Sequence, residues 1–151
     1  MGYKVIVNET KVKFSASHFL VEHFKCARIH GHNYYISVEV SDELNEKYFV
    51  VDFMELNAKL KEIVEPLDHY ILVPTKSEDI KVNEQGNSVE VLTPSKRYIF
   101  PREDVCFLPI PATTSELLAK YIHEKLKEFY PNKKIIMKVG ESKHFMASYG
   151  D

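Results

Sequence analysis

The chain is short of several residue types, and each shortage excludes something. Its two cysteines, Cys26 and Cys106, are too few for a disulfide-stapled scaffold. With no tryptophan, five glycines and seven prolines, it has no glycine-rich linker, collagen-like repeat or low-complexity tract. Unbroken apolar runs last only a few residues, far short of the ~20 that span a bilayer. The opening stretch, MGYKVIVNETKVKF, lacks both the apolar run of a signal peptide and the composition of a transit peptide. An excess of positive charge is missing too. The formal net charge is -2, so no overall field gathers nucleic acid or an anionic membrane. The expectation is a cytoplasmic protein with reduced thiols and neither kind of partner.

What remains is a globular balance of 44% hydrophobic and 28% charged residues, enough for one domain over residues 1–151. Residues 4–14 alternate apolar and polar (Val5, Val7, then Val12, Phe14), which predicts a half-buried strand. Residues 15–29 break the rhythm and read as a loop, and 30–39 resume it as a second strand. After an extended piece at 48–51, Asp52 can cap a helix, with Glu55 placed to complete a reciprocal pair. Its apolar stripe is Phe53, Leu56, Leu60, Ile63 and Val64, and Pro66 ends it. A second helix starts at Thr113 or Thr114 with Glu116 placed for capping. It carries Leu117, Leu118, Tyr121, Ile122, Leu126 and Phe129, and stops at Pro131. Residues 134–139 form a further strand and 145–149 a closing extended stretch. Between the helices, 87–92 and 97–100 can pair as an inserted hairpin. The fold class is α+β, an antiparallel sheet with both helices on one face and open edges that invite other subunits.

Seven histidines stand out, and their positions matter more than their number. His30 and His32 flank Gly31 in a strand, so their imidazoles project from one face, and His18 can join them as a third metal ligand. Cys26 admits three readings: a structural zinc ligand, a base or nucleophile whose thiolate Lys25, Arg28 or a metal would favour, or a small buried hydrophobe. Cys106 has no partner motif and takes the last of these. Asp68-His69 places a carboxylate beside an imidazole, which suits either proton transfer or a polar helix end. Glu141 follows a strand end, as a solvated acid or as an anchor for a ligand presenting two N–H donors. His23, His123 and His144 carry no spacing argument.

Six ordered pieces together resemble one family. Phe14-Ser15-Ala16-Ser17-His18 comes first, then Cys26-x-x-x-His30-Gly31-His32-Asn33, Val51-Asp52-Phe53 and Leu67-Asp68-His69. Thr113-Thr114-Ser115-Glu116 and Glu141 complete the set. The order and spacing are similar to those of the 6-pyruvoyltetrahydropterin synthase / 6-carboxytetrahydropterin synthase family. That resemblance implies the tunnelling fold (T-fold), ββααββ subunits whose sheets join into a barrel in a homotrimer or homohexamer with active sites at subunit interfaces. It implies zinc (Zn2+) on His18, His30 and His32, Cys26 as general base, and Asp68 with His69 as a relay supplied by another subunit. Glu141 would anchor the pterin, helped by Thr113 or Thr114. Lys25 and Arg28 are candidates for the substrate's triphosphate. The substrate implied is 7,8-dihydroneopterin triphosphate. The three-residue gap between Cys26 and His30 resembles the enzymes that release acetaldehyde and leave 6-carboxy-5,6,7,8-tetrahydropterin for queuosine-type synthesis. The pyruvoyl synthase, an aldolase-like cleavage and a non-catalytic zinc-stabilised pterin-binding oligomer are the alternatives. Residues 73–110 exceed the corresponding stretch of compact relatives and read as an insertion.

Overall fold

The computed structural model describes all residues apart from Met1 and Glu22, together with the side chain of Thr10. Glu22 belongs to the loop expected over 15–29, and that part of the expectation lies outside the described residues. The elements run β1 (Tyr3–His18), β2 (His30–Asp42), α1 (Phe53–Val64), β3 (Tyr70–Pro74), β4 (Lys81–Gln85), β5 (Ser88–Leu92), β6 (Arg97–Pro101), β7 (Val105–Leu108), α2 (Ser115–Phe129), β8 (Lys134–Gly140) and β9 (Ala147–Gly150). The first strand therefore continues through residues expected to be loop, and it ends on His18.

Six strands form one sheet in the order β7-β3-β1-β2-β8-β9, and β4-β5-β6 form a second. The expectation of an antiparallel sheet is corrected to a mixed one, because β3 runs parallel to β1 and β7 parallel to β3. The route of the chain is the reason. The stretch from β2 through α1 delivers the chain to Ser15, beside the end of β1, so β3 sets out in the direction of β1. The excursion over residues 75–104 then carries the chain from the end of β3 back to its start, which leaves β7 parallel to it. The expected hairpin is present, with Leu92 opposite Arg97, but β4 adds a third strand to it.

Both helices cover one face of the large sheet. Val12, Phe14 and Ala16 of β1, Tyr34, Ile36, Val38 and Val40 of β2, and Ile135, Met137 and Val139 of β8 bury against Leu56, Leu60, Leu118, Ile122 and Leu126. The opposite face is polar, with Glu39 between Lys4 and Lys138 at 2.9 and 3.0 Å. The pairing of β1 with β2 slips between Val7 and Val12, so residues on either side of a bulge face the same way despite opposite parity. Val5 and Val7 pack toward the core, and so do Val12, Phe14, Ala16 and His18. Without that bulge His18 would point to the polar face.

The helix caps differ in one respect from expectation. Asp52 accepts from the Glu55 backbone N–H at 2.9 Å, and Thr114 from that of Leu117 at 3.3 Å. The Glu55 carboxylate does not return the bond to residue 52. It accepts from the Tyr130 hydroxyl at 3.3 Å, tying α1 to the end of α2. Phe53 is exposed because the buried stripe of α1 starts one turn later, at Leu56. Residues 48–51 follow a turn at 46–47 and bend where an extended piece is expected, with Tyr48 at a φ of 66°. Among the described residues, no helix is long and apolar enough to cross a membrane.

Candidate active site

Two strand ends bring three imidazoles together. His18 closes β1 directly opposite His30, and Ala16 sits opposite His32, so the three rings share the helix-covered face. Ring centroids are 4.6 Å apart for His18 and His30, 4.9 Å for His30 and His32, and 5.2 Å for His18 and His32. One nitrogen from each lies within 4.8 Å of the others, a group that could hold a metal ion. Tyr34, stacked on Phe14, meets His18 and His32 edge-on.

The backbone selects the tautomers. A carbonyl only accepts, so Nδ1 of His18 donates to the Thr113 carbonyl at 2.9 Å, and Nδ1 of His30 donates to the Arg28 carbonyl at 2.6 Å. In that tautomer each ring keeps the Nε2 lone pair for a ligand, the arrangement in which metal-bound imidazoles are usually oriented. Burial pushes the His18 pKa down to about 4, and the other two imidazoles add to the effect while the Thr113 bond opposes it. Burial also lowers that of His32, against the pull of Glu141. Burial thus favours the neutral form of His18 and of His32. Nε2 of His18 and of His32 are buried without a hydrogen-bond partner, a costly state that a coordinated cation would relieve. On these grounds the donor set fits a transition metal, with imidazole the ligand type zinc favours.

Glu141 stands at the mouth of the cluster, its carboxylate 3.6 Å from Nε2 of His18 and 3.5 Å from Nε2 of His32. Gly140 makes this possible, because a Cβ there would sit 2.7 Å from the Ser142 carbonyl oxygen where the chain doubles back. A cavity of about 430 Å³ opens beside it, lined by Thr114, Glu116, Glu141, His144, Phe145 and Met146 among others. Of the two threonines proposed from sequence, Thr114 faces this cavity. Thr113 is fully buried, its carbonyl and hydroxyl both against His18. Glu116 enters the sequence reading only as a helix-capping acid. Its place on the same cavity as Glu141 comes from the first turn of α2, and no spacing between residues 116 and 141 signals it.

Asp68 and His69 lie elsewhere. Asp68 Oδ1 accepts from the Ser15 backbone N–H at 2.8 Å, and the His69 N–H donates to the Ser15 carbonyl at 2.6 Å, a clamp that starts β3 alongside β1. Asp68 Oδ2 is 2.9 Å from His69 Nδ1. The Ser15 bond, and then His69, hold the Asp68 carboxyl below its ordinary range. His69 adopts a φ of 65°, uncommon for a residue with a side chain, and its imidazole is 79% exposed. It lines a cavity of about 420 Å³ with Ser15, Ser17, Gly31 and Asn33, residues of the polar-face parity, and with Ala16 and His32 of the other parity. Cys26 is half-buried in a 3₁₀ turn, Phe24–Ala27, between the two histidine strands. Among the described residues no hydrogen bond joins it to Asp68 or His69. Lys25 and Arg28 flank it and are exposed.

The family model for 6-pyruvoyl tetrahydropterin synthase matches residues 8–150. The chain belongs to that family. A relative in Methanocaldococcus jannaschii, provisionally named 6-carboxy-5,6,7,8-tetrahydropterin synthase, is 34% identical over 80% of this chain and 75% of its own. The 6-carboxy-5,6,7,8-tetrahydropterin synthase of Aquifex aeolicus is 35% identical over 69% of this chain and 58% of its own. A solved structure of Plasmodium falciparum 6-pyruvoyl tetrahydropterin synthase is 26% identical and superposes with a TM-score of 0.91, over 99% of this chain and 98% of that one. The tetrahydropterin synthase fold expected from the six sequence pieces is therefore the one observed, and the chain is an enzyme of that lyase-type family. Residues 75–104 stand within the superposed length.

Proposed function

We propose that this chain is a zinc-dependent lyase that converts 7,8-dihydroneopterin triphosphate to 6-carboxy-5,6,7,8-tetrahydropterin, releasing triphosphate and acetaldehyde and consuming water. The observation that carries the reading is the convergence of His18, His30 and His32, with two orphaned buried nitrogens, in a chain whose relatives bear that enzyme name. Zinc held by these three residues would supply Lewis acidity toward the oxygens of the substrate side chain. The remaining work belongs to the chain itself. Cys26, as thiolate, takes a proton from the side-chain carbon next to an oxygen. His69, oriented by Asp68, moves a proton at the neighbouring position, and its exposure on the open face of the sheet suits a relay completed between subunits of a homotrimer or homohexamer. Lys25 and Arg28, exposed beside Cys26, meet the triphosphate.

Glu141, with Thr114 on the same cavity, accepts the paired N–H donors of the pterin ring. Its nearness to His18 and His32 favours a second arrangement of these acids, in which Glu116 takes the ring and Glu141 serves the reacting end. The product feeds queuosine-type synthesis in the cytoplasm. Product analysis after incubation with 7,8-dihydroneopterin triphosphate tests the reaction: acetaldehyde and the 6-carboxy product are expected. A pyruvoyl product without acetaldehyde, release of glycolaldehyde, or binding without turnover would each replace this reading with the corresponding alternative.

A further inference from the structure

The sheet formed by β4, β5 and β6 has so far no role, yet it touches the segment between the histidine strands at Ala27 and at Phe19. Lys96 Nζ donates to the Ala27 carbonyl at 2.8 Å and the Tyr98 hydroxyl donates to the same oxygen at 3.3 Å. One carbonyl with two lone pairs can accept both, and the ammonium makes the first a charge-assisted bond. Neither donor is loosely held. Lys96 ends a turn in which Thr93 N–H bonds the Lys96 carbonyl at 2.9 Å and Lys96 N–H bonds Thr93 Oγ1 at 3.0 Å. Tyr98 stacks between Phe19, at 4.8 Å, and Phe100, at 5.5 Å.

These contacts bracket the site from both sides. Phe19 is the residue after His18, and it is buried in its own cluster with Val73 of β3, Val89 and Val91 of β5, and Val105 of β7. Ala27 follows Cys26, and the next carbonyl, of Arg28, is the one that orients His30. The turn carrying Cys26 is closed by a bond from Leu20 N–H to the Cys26 carbonyl at 2.8 Å. We infer that the β4–β6 sheet is a brace for the Cys26 turn, with Lys96 and Tyr98 as positioning residues that act through the Ala27 carbonyl. The inference builds on the reading of Cys26 as the base. It concerns how the thiol is held, not which reaction it serves.

The test is hydrogen exchange, followed by mass spectrometry, in the intact protein and in three variants: Tyr98→Phe, which keeps the ring stack, Lys96→Met and Lys96→Arg. Exchange in the peptide spanning residues 19–29 is expected to quicken about tenfold in Lys96→Met and less in Tyr98→Phe, through local opening. Arginine still donates, so Lys96→Arg should restore slow exchange. Zinc content should not change, and kcat for pterin turnover should fall in step with the exchange while KM stays put. Unchanged exchange over 19–29 would overturn the brace. So would an equal rise over the whole chain, which would mark a general loss of stability. If the wild-type protein turns over no pterin triphosphate, the functional reading falls while the exchange data still decide this one.

Discussion

Two imidazole sites, one on the strands of the large sheet and one in the turn that enters β3, differ in burial and in partners. The His18–His30–His32 cluster lies on the helix-covered face, with His18 fully buried, carbonyl-oriented at Nδ1 and without a hydrogen-bond partner at Nε2. His69 is largely exposed, paired with a carboxylate, and associated with residues of the polar face. The same side chain thereby meets two different environments, which the proposed function reads as two tasks. Burial favours the neutral form of His18 and leaves its Nε2 lone pair to a cation, whereas the His69 ring lies beside the Asp68 carboxylate and is open to solvent. The lesson is that a histidine's surroundings are set by how deep its backbone position places the ring and by what its second nitrogen meets.

This contrast can be broken or sharpened at several points. The largest effect is expected from Cys26→Ala, which removes the proposed base. Turnover should fall about 10²–10⁴-fold, the usual worth of a general base, while zinc content measured by elemental analysis stays full. Loss of zinc together with turnover would move Cys26 into the metal set and blur the division. A smaller effect concerns acid stability. The His18 pKa is about 4 in the folded chain against an ordinary 6.5, so on acidification the unfolded chain binds the proton first. Stability of the metal-free protein should be insensitive to this group above pH 6.5, and should decline as pH falls from 6.5 toward 4, as read from urea midpoints. A midpoint that is flat across that window would show that His18 is not held neutral by burial.

Much of the fold was legible because it rests on local patterns. The stripe Leu56–Leu60–Val64 and the capping residues Asp52 and Thr114 mark the helices, and His30-Gly31-His32 announces a shared face by strand parity alone. What escaped the sequence depends on non-local geometry. The bulge that turns His18 toward the helices needs the β1–β2 register, since Val7 and Val12 sit on one face only after the slip. The parallel pairing of β3 with β1 and β7 depends on where the returning chain docks, and no periodicity records that. The meeting of Glu116 with Glu141 likewise follows from packing α2 against the strand that ends at Gly140. Residues 73–110 read as a single insertion, but β3 and β7 belong to the main sheet and only 75–104 leave it. Lys96 and Tyr98 find Ala27 across some seventy residues, a contact no motif encodes.

The division of labour between the two imidazole sites is tested most directly by elemental zinc analysis of two variants purified alike, His32→Ala and His69→Ala. The account expects His32→Ala to lose its zinc and His69→Ala to retain one equivalent per chain. Full zinc in His32→Ala, or its loss from His69→Ala, would contradict it.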